Sequence, residues 1–420
     1  MLISQEWKEP RKARDFLRDF HSTSLVISNA HHCVSFRWSR HRELPDAALY
    51  GDAGSDTLGN TCRAVGGVSL PALERLGLGR IKELKGVAAV ANPEACYGKL
   101  GEKSPGKDST SGHWELMGIV LDKPFPTYPT GFPQDLVRRF ESRIGRRVLG
   151  NMPYSGTEII KLLGDEHVKT GCPILYTSAD SVFQLAAHEN VIPVRELYDY
   201  CIMARDLLTG EHGVARVIAR PFTGKSGNYQ RITGRKDFSI LPTGATILDI
   251  LETRGIEVLA VGKVADLFAG RGFTREIRAK SNSEGMETLS AILDDFDEGF
   301  VLANLGDFDT LWGHRNDVKA FAQGLVEFDR WLLGFLGKLS FDDVLFITGD
   351  HGCDPTTPST DHSREYVPVL TYGQKLRRGV NLGTRASFAD LGATIADLAK
   401  AEGTGKGTSF AKEIGFGSKD

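Results

Sequence analysis

The run Asp343-Val344-Leu345-Phe346-Ile347-Thr348 passes directly into Gly349-Asp350-His351-Gly352. A short apolar run without polar alternation, stopped by glycine and a carboxylate, is the pattern of a strand buried on both faces in a parallel sheet. Two further runs end the same way. Phe300-Val301-Leu302-Ala303-Asn304-Leu305 leads into Gly306-Asp307-Phe308-Asp309, and the run 256–261 leads into Gly262-Lys263. The stretches 283–295 and 316–336 between them read as helices, the second with apolar residues near 3.6 spacing. Strands alternating with helices predict an α/β core with a mostly parallel central sheet flanked by helices. In such a core, active groups collect beyond the carboxyl ends of the strands, where these Asp and His residues fall.

With 420 residues the chain exceeds one ordinary core, and two or three domains are expected. Prolines 124, 126, 129 and 133, and later Leu241-Pro242-Thr243-Gly244, mark two crossings. They divide the chain into a discontinuous core, 44–123 with 242–420, and an inserted α+β cap over 124–241. The cap contains strand-like 173–177 and 214–219 and helical 134–144, while residues 1–43 form an atypical N-terminal segment of mixed charge. Hydrophobic residues make up 41% and charged residues 25%, the balance of a soluble globular protein. A net charge of -3 and no basic run give no reason to expect nucleic acid or an anionic membrane as partner. The six cysteines form no C-x-x-C pair and read as reduced thiols. No apolar stretch is long enough to span a bilayer, and the charged N-terminus is unlike a secretory signal, so a cytoplasmic location is expected.

Five metal-ligand candidates lie within fifty-four residues: Asp309 and His314 in D-T-L-W-G-H, adjacent Asp350 and His351, and His362 in T-D-H-S. Mixed carboxylate and imidazole donors suit Mn²⁺ or Zn²⁺ better than Ca²⁺ or Cu(I). Two such cations about 4 Å apart can hold both a nucleophile and a phosphoryl oxygen. A single Asp-His pair after a strand is more often a loop hydrogen bond; three such elements in order favour metal binding. A second signal is Gly106-Lys107-Asp108-Ser109-Thr110-Ser111-Gly112-His113-Trp114-Glu115. Its hydroxyls are candidate nucleophiles once activated, yet the same run would serve as a helix N-cap.

The run G-K-D-S-T-S-G-H-W-E-L-M-G resembles the nucleophile segment of phosphopentomutases, in the alkaline phosphatase superfamily. So do Y-T-S-A-D-S-V-F-Q-L-A-A-H-E (176–189), R-V-I-A-R-P-F (216–222) and V-G-K-V-A-D-L-F (261–268). N-L-G-D-F-D-T-L-W-G-H-R (304–315) and T-G-D-H-G-C-D-P-T (348–356) complete the set, in family order from about Leu44 onward. The resemblance implies an alkaline-phosphatase-like core with the inserted cap. It places Ser109 where the family has a phosphorylated nucleophile, usually Thr, with Thr110 the less favoured hydroxyl. It makes Asp309, His314 and His362 ligands of one Mn²⁺, and Asp350 and His351 ligands of a second. Asp180 would face the sugar, Arg216 and Lys263 would hold the substrate phosphate, and Arg231 and Arg235 would assist. The implied reaction moves a phosphoryl group between C1 and C5 of ribose or 2-deoxyribose, with a sugar bisphosphate as primer and pentose phosphates as the small-molecule partners. A phosphoglycerate mutase or a phosphatase would share the metal loops but leaves G-H-W-E unexplained.

One family element departs. Phosphopentomutases begin with a strand ending in Asp, within D-S-x-G-I-G, ahead of P-D-A. Here the downstream part is present as Leu44-Pro45-Asp46-Ala47, but by spacing Arg37 occupies the place of that Asp. Arginine offers no lone pair to a cation. The second metal site is thus expected to lack a carboxylate, which sets a catalytically impaired, sugar-phosphate-binding relative beside the working mutase. The abrupt onset at Leu44 is also what a displaced start or shifted reading frame would leave.

Overall fold

The computed structural model describes residues 43–178, 180–296 and 298–417, together with the backbone of 23–28. The first two strands are Thr23–Ser28 (β1) and Cys96–Leu100 (β2). A middle group follows: Leu149–Pro153 (β3), Ile174–Thr177 (β4), Val182–His188 (β5), Arg216–Lys225 (β6), Asn228–Arg231 (β7) and Lys236–Ser239 (β8). The last are Val258–Val261 (β9), Arg275–Ile277 (β10), Gly299–Asn304 (β11), Val344–Thr348 (β12), Val367–Tyr372 (β13) and Asn381–Arg385 (β14).

Eight strands form one sheet in the order β10-β9-β11-β1-β12-β13-β2-β14. From β10 to β12 the pairs are all parallel, and β13 runs antiparallel to both neighbours. The apolar runs lack polar alternation because each face of this sheet meets a separate core. Val301, Ala303, Leu345 and Ile347 join Phe321, Phe328 and Leu332 of the helix Val318–Leu336. Phe300, Leu302 and Phe346 point the other way, among Trp114, Leu248 and Leu391. Full burial of each such Val, Leu, Ile or Phe side chain stabilises the fold by roughly 1.5–3 kcal/mol.

The parallel strands bring their carboxyl ends to one edge, so Lys263, Asp309 and Asp350 leave the sheet on the same side. Spacing from P-D-A puts Arg37 at the end of the first strand. The strand found in this place is instead Thr23–Ser28, with Ser28 in register with Asn304 and Thr348. The β-branched run T-S-L-V-I-S fits a pleated strand between two partners, and Arg37 itself lies outside the described residues.

The second sheet has the order β3-β4-β5-β6-β7, with β8 also paired to β6. The helices Gln134–Ile144 and Val194–Leu207 pack on one face against Phe183, Leu185 and Val217. The helix Glu158–Thr170 covers Ile174, Tyr176 and Phe222 on the other. Among the described residues no helix is long and apolar enough to cross a membrane.

Candidate metal and phosphoryl-transfer site

The run does form a helix N-cap, and Asp108 supplies it. Its carboxylate accepts from the Thr110 and Ser111 amides at 2.8 and 3.2 Å and caps the helix Ser109–Leu116. Ser109 is thereby left at the first helical position, with Oγ 2.9 Å from His351 Nε2. The other two hydroxyls turn inward. Ser111 Oγ lies 3.0 Å from a Glu102 carboxylate oxygen, and Thr110 Oγ1 is buried without a partner among the described residues. The helix can lie flush on the sheet edge because of Gly112, where a Cβ would stand 2.0 Å from the Asp350 carbonyl oxygen. Glu115 anchors it from below, accepting from the Lys103 and Ser104 amides and the Ser387 hydroxyl.

A π-helical turn, Phe308–Trp312, followed by the 3₁₀ turn Gly313–Arg315, brings Asp309 and His314 together after β11. His314 Nε2 and His362 Nε2 lie 3.0 and 3.1 Å from the same Asp309 oxygen. The ligand atoms of these three residues all fall within 4.8 Å of one another. His314 Nδ1 donates to the Thr360 carbonyl at 2.7 Å, which leaves the Nε2 lone pair facing the cluster. His351 follows the same logic, with Nδ1 3.1 Å from the Gly352 carbonyl and Nε2 accepting from Ser109. Asp350 is fully buried, its Oδ2 2.9 Å from His113 Nδ1 and 3.3 Å from His351 Nε2. The His351 and His362 rings stack at 3.8 Å, so the two donor sets abut.

Burial pushes the His362 pKa down, but the Asp309 carboxylate, with Asp180 and Asp361 nearby, outweighs it and raises it to about 10. His314 is raised too, again because Asp309 outweighs burial. The cluster thus draws protons onto its imidazoles, and a divalent cation would satisfy the same excess of negative charge. The donor set fits Mn²⁺ or Zn²⁺.

A cavity of about 410 Å³ opens beside the donors, with Ser109, Asp309, Arg216, Arg235 and Lys263 on its wall. Gly262, at φ +92°, puts its Cα so close to the end of β11 that a Cβ would meet the Asn304 carbonyl at 2.6 Å. This tight turn presents Lys263 to the cavity. Arg216 lies 3.6 Å from Asp180 and 3.8 Å from Asp237, and its buried Nε has no hydrogen-bond partner among the described residues. Asp180 groups with Asp361 and His362 within 4.8 Å. Arg231 is not on the cavity wall; its guanidinium sits beside Gly156 and the Tyr176 hydroxyl.

Several site residues escaped the sequence reading. Lys236 and Arg278 line the cavity, but isolated cations on loops and edge strands carry no local signature. Arg364, only 3% exposed, donates to Asp46, Glu102 and the carbonyls of Ser104 and Gly106. It ties the segment after His362 to the loop before Ser109, a pairing too distant in sequence to read.

A largely parallel sheet with histidine–carboxylate sets at its carboxyl edge, facing a helix that offers a serine, defines a metalloenzyme of the alkaline-phosphatase type. In agreement, the Metalloenzyme superfamily profile matches residues 82–402. The phosphopentomutase of Acetivibrio thermocellus is 58% identical over 373 residues, covering 89% of this chain and 96% of that protein. Those of Carboxydothermus hydrogenoformans and Desulfitobacterium hafniense are 57% and 55% identical over similar shares. The chain belongs to the phosphopentomutase family and is an isomerase of the phosphomutase kind.

Proposed function

We propose that the chain interconverts ribose 1-phosphate and ribose 5-phosphate, and the 2-deoxyribose equivalents, through a phosphorylated Ser109. The observation that carries this reading is the placement of Ser109 Oγ, 2.9 Å from His351 Nε2 and on the wall of the cavity shared by Asp309, Arg216 and Lys263. Asp309, His314 and His362 would hold one Mn²⁺, and Asp350 and His351 the other. When bound, such ions neutralise phosphate charge and stabilise the serine alkoxide.

A sugar bisphosphate primes the chain: Ser109 Oγ bonds to one phosphorus as the sugar oxygen–phosphorus bond breaks, and the sugar monophosphate leaves. The Ser109 Oγ–phosphorus bond then breaks as a hydroxyl oxygen of the pentose monophosphate bonds to the same phosphorus. The bisphosphate formed turns over in the cavity and returns its other phosphate to Ser109. Asp108 keeps the first helical turn ordered, and the positive end of that helix favours the phosphoryl oxygens. Arg216 and Lys263 hold the phosphate that is not transferred, Asp180 faces the sugar, and Arg231 and Arg235 act from further out. Residues 124–241 serve as the cap whose closure excludes water, so that the phosphoryl group passes to sugar. The location we assign is the cytoplasm. Identity to phosphopentomutases across nearly their whole length favours a working mutase over an impaired sugar-phosphate binder.

The deciding experiment is an assay of the purified chain with Mn²⁺ and a bisphosphate primer, offering ribose 1-phosphate and, separately, 3-phosphoglycerate. Turnover of the pentose alone is expected. Turnover of 3-phosphoglycerate alone, or binding without turnover, overturns the reading.

A further inference from the structure

The cavity beside Ser109 has more cations on its wall than the phosphate contacts proposed so far, and their ion pairs separate them into two kinds. Arg235 is engaged by Asp237 through two hydrogen bonds of 2.8 and 2.7 Å. Arg278 is engaged by Asp266 in the same fork geometry, at 3.1 and 2.8 Å. Arg216 lies between Asp180 and Asp237. Each of these guanidinium charges already faces a carboxylate. Lys236 and Lys263 differ: neither has an ion pair among the described residues, and both line the cavity. The Lys236 ammonium instead lies 5.2 Å from the ring centres of Tyr198 and Phe238, which direct it without neutralising it. Lys236 opens β8 in the second sheet, whereas Lys263 follows β9 in the first.

Resting on the mutase reading, we propose that Lys236 is a substrate-binding residue which, with Lys263 across the cavity, receives the phosphate of the pentose phosphate that is not being transferred. A phosphate dianion carries two charges, and these two lysines are the wall cations without an ion pair among the described residues; Arg216, whose Nε also lacks a partner there, adds the contact proposed above. One comes from each sheet, so the bound phosphate joins the two halves of the cavity. Lys236 is exposed on an edge strand, and its replacement leaves both cores untouched.

The test is calorimetric titration of the Mn²⁺-loaded chain with ribose 5-phosphate, for wild type, Lys236→Ala, Lys236→Arg, Lys263→Ala and Lys225→Ala. Lys225 is an exposed residue of β6 that does not line the cavity. Expected is about a tenfold or greater loss of affinity for Lys236→Ala and Lys263→Ala, as for loss of a charge-assisted contact. Lys236→Arg should retain most of the affinity, and Lys225→Ala should match wild type. In turnover, Lys236→Ala should raise KM with kcat nearly unchanged, the signature of uniform binding. If Lys236→Ala binds like wild type while Lys263→Ala is weakened, the role of Lys236 is overturned and the mutase reading stands. If the wild-type chain binds no ribose 5-phosphate, that reading falls, and this inference with it.

Discussion

Ser109 Oγ and His351 Nε2 lie 2.9 Å apart although 242 residues separate them in the chain. The contact joins the first turn of a helix to the loop after a central strand, and it places the hydroxyl against His351, whose ring stacks on His362 of the other donor set. Ser109→Ala should therefore abolish mutase turnover, by at least about 10³-fold, since the neighbouring Thr110 and Ser111 hydroxyls are turned inward. Ser109→Thr should retain turnover. Intact-mass measurement after priming with a bisphosphate checks the cause: wild type and Ser109→Thr gain one phosphoryl group, and Ser109→Ala gains none.

Asp309 shares one oxygen with two imidazoles. Asp309→Asn should remove the charge that holds the cluster together and reduce bound Mn²⁺ from two to one per chain. Elemental analysis of the dialysed protein reads this directly. Chelation of wild type should abolish turnover, and added Mn²⁺ should restore it; Asp309→Asn should not recover.

Gly112 packs the helix Ser109–Leu116 directly against the Asp350 carbonyl, with no room for a Cβ. Gly112→Ala should cost about 2 kcal/mol in stability by overpacking. The helix must shift by a fraction of an ångström to an ångström, which displaces Ser109 and should lower kcat about 10- to 100-fold. A thermal melt and a kcat measurement on the same sample check both effects. Retained kcat with a lowered Tm would show that the helix yields without moving Ser109.

Glu365 is buried behind the metal loop, accepting from the Thr57 amide and the Thr57 and Ser363 hydroxyls. Burial, with Asp354 adding to it, raises its pKa from 4.5 to about 7 against those hydrogen bonds. The folded chain therefore keeps this proton to higher pH than the unfolded chain does. Its contribution is fully present below about 4.5 and is lost as pH rises to about 7, amounting to roughly 3 kcal/mol at most. Glu365→Gln should remove that slope. Chemical denaturation from pH 4.5 to 8 should show the variant gaining on wild type as pH rises, and parallel curves would refute this.

The amino-acid sequence by itself determined what is local. The short apolar runs at 300–305 and 343–348 name strands because both faces of each strand are buried, and the motifs after them put Asp309 and Asp350 at strand ends because a strand and its loop are contiguous. Tertiary structure alone decided what depends on distant partners. Thr23–Ser28 becomes the central strand only through pairing with residues 299–304 and 344–348. Ser109, and not Thr110, is the available hydroxyl because Asp108 takes the cap and His351 arrives from another strand. Arg231 leaves the cavity wall, and Lys236 enters it, according to how two sheets face one another. A periodicity or a short motif records its own neighbourhood; charge pairing across a cavity exists only once the chain has folded.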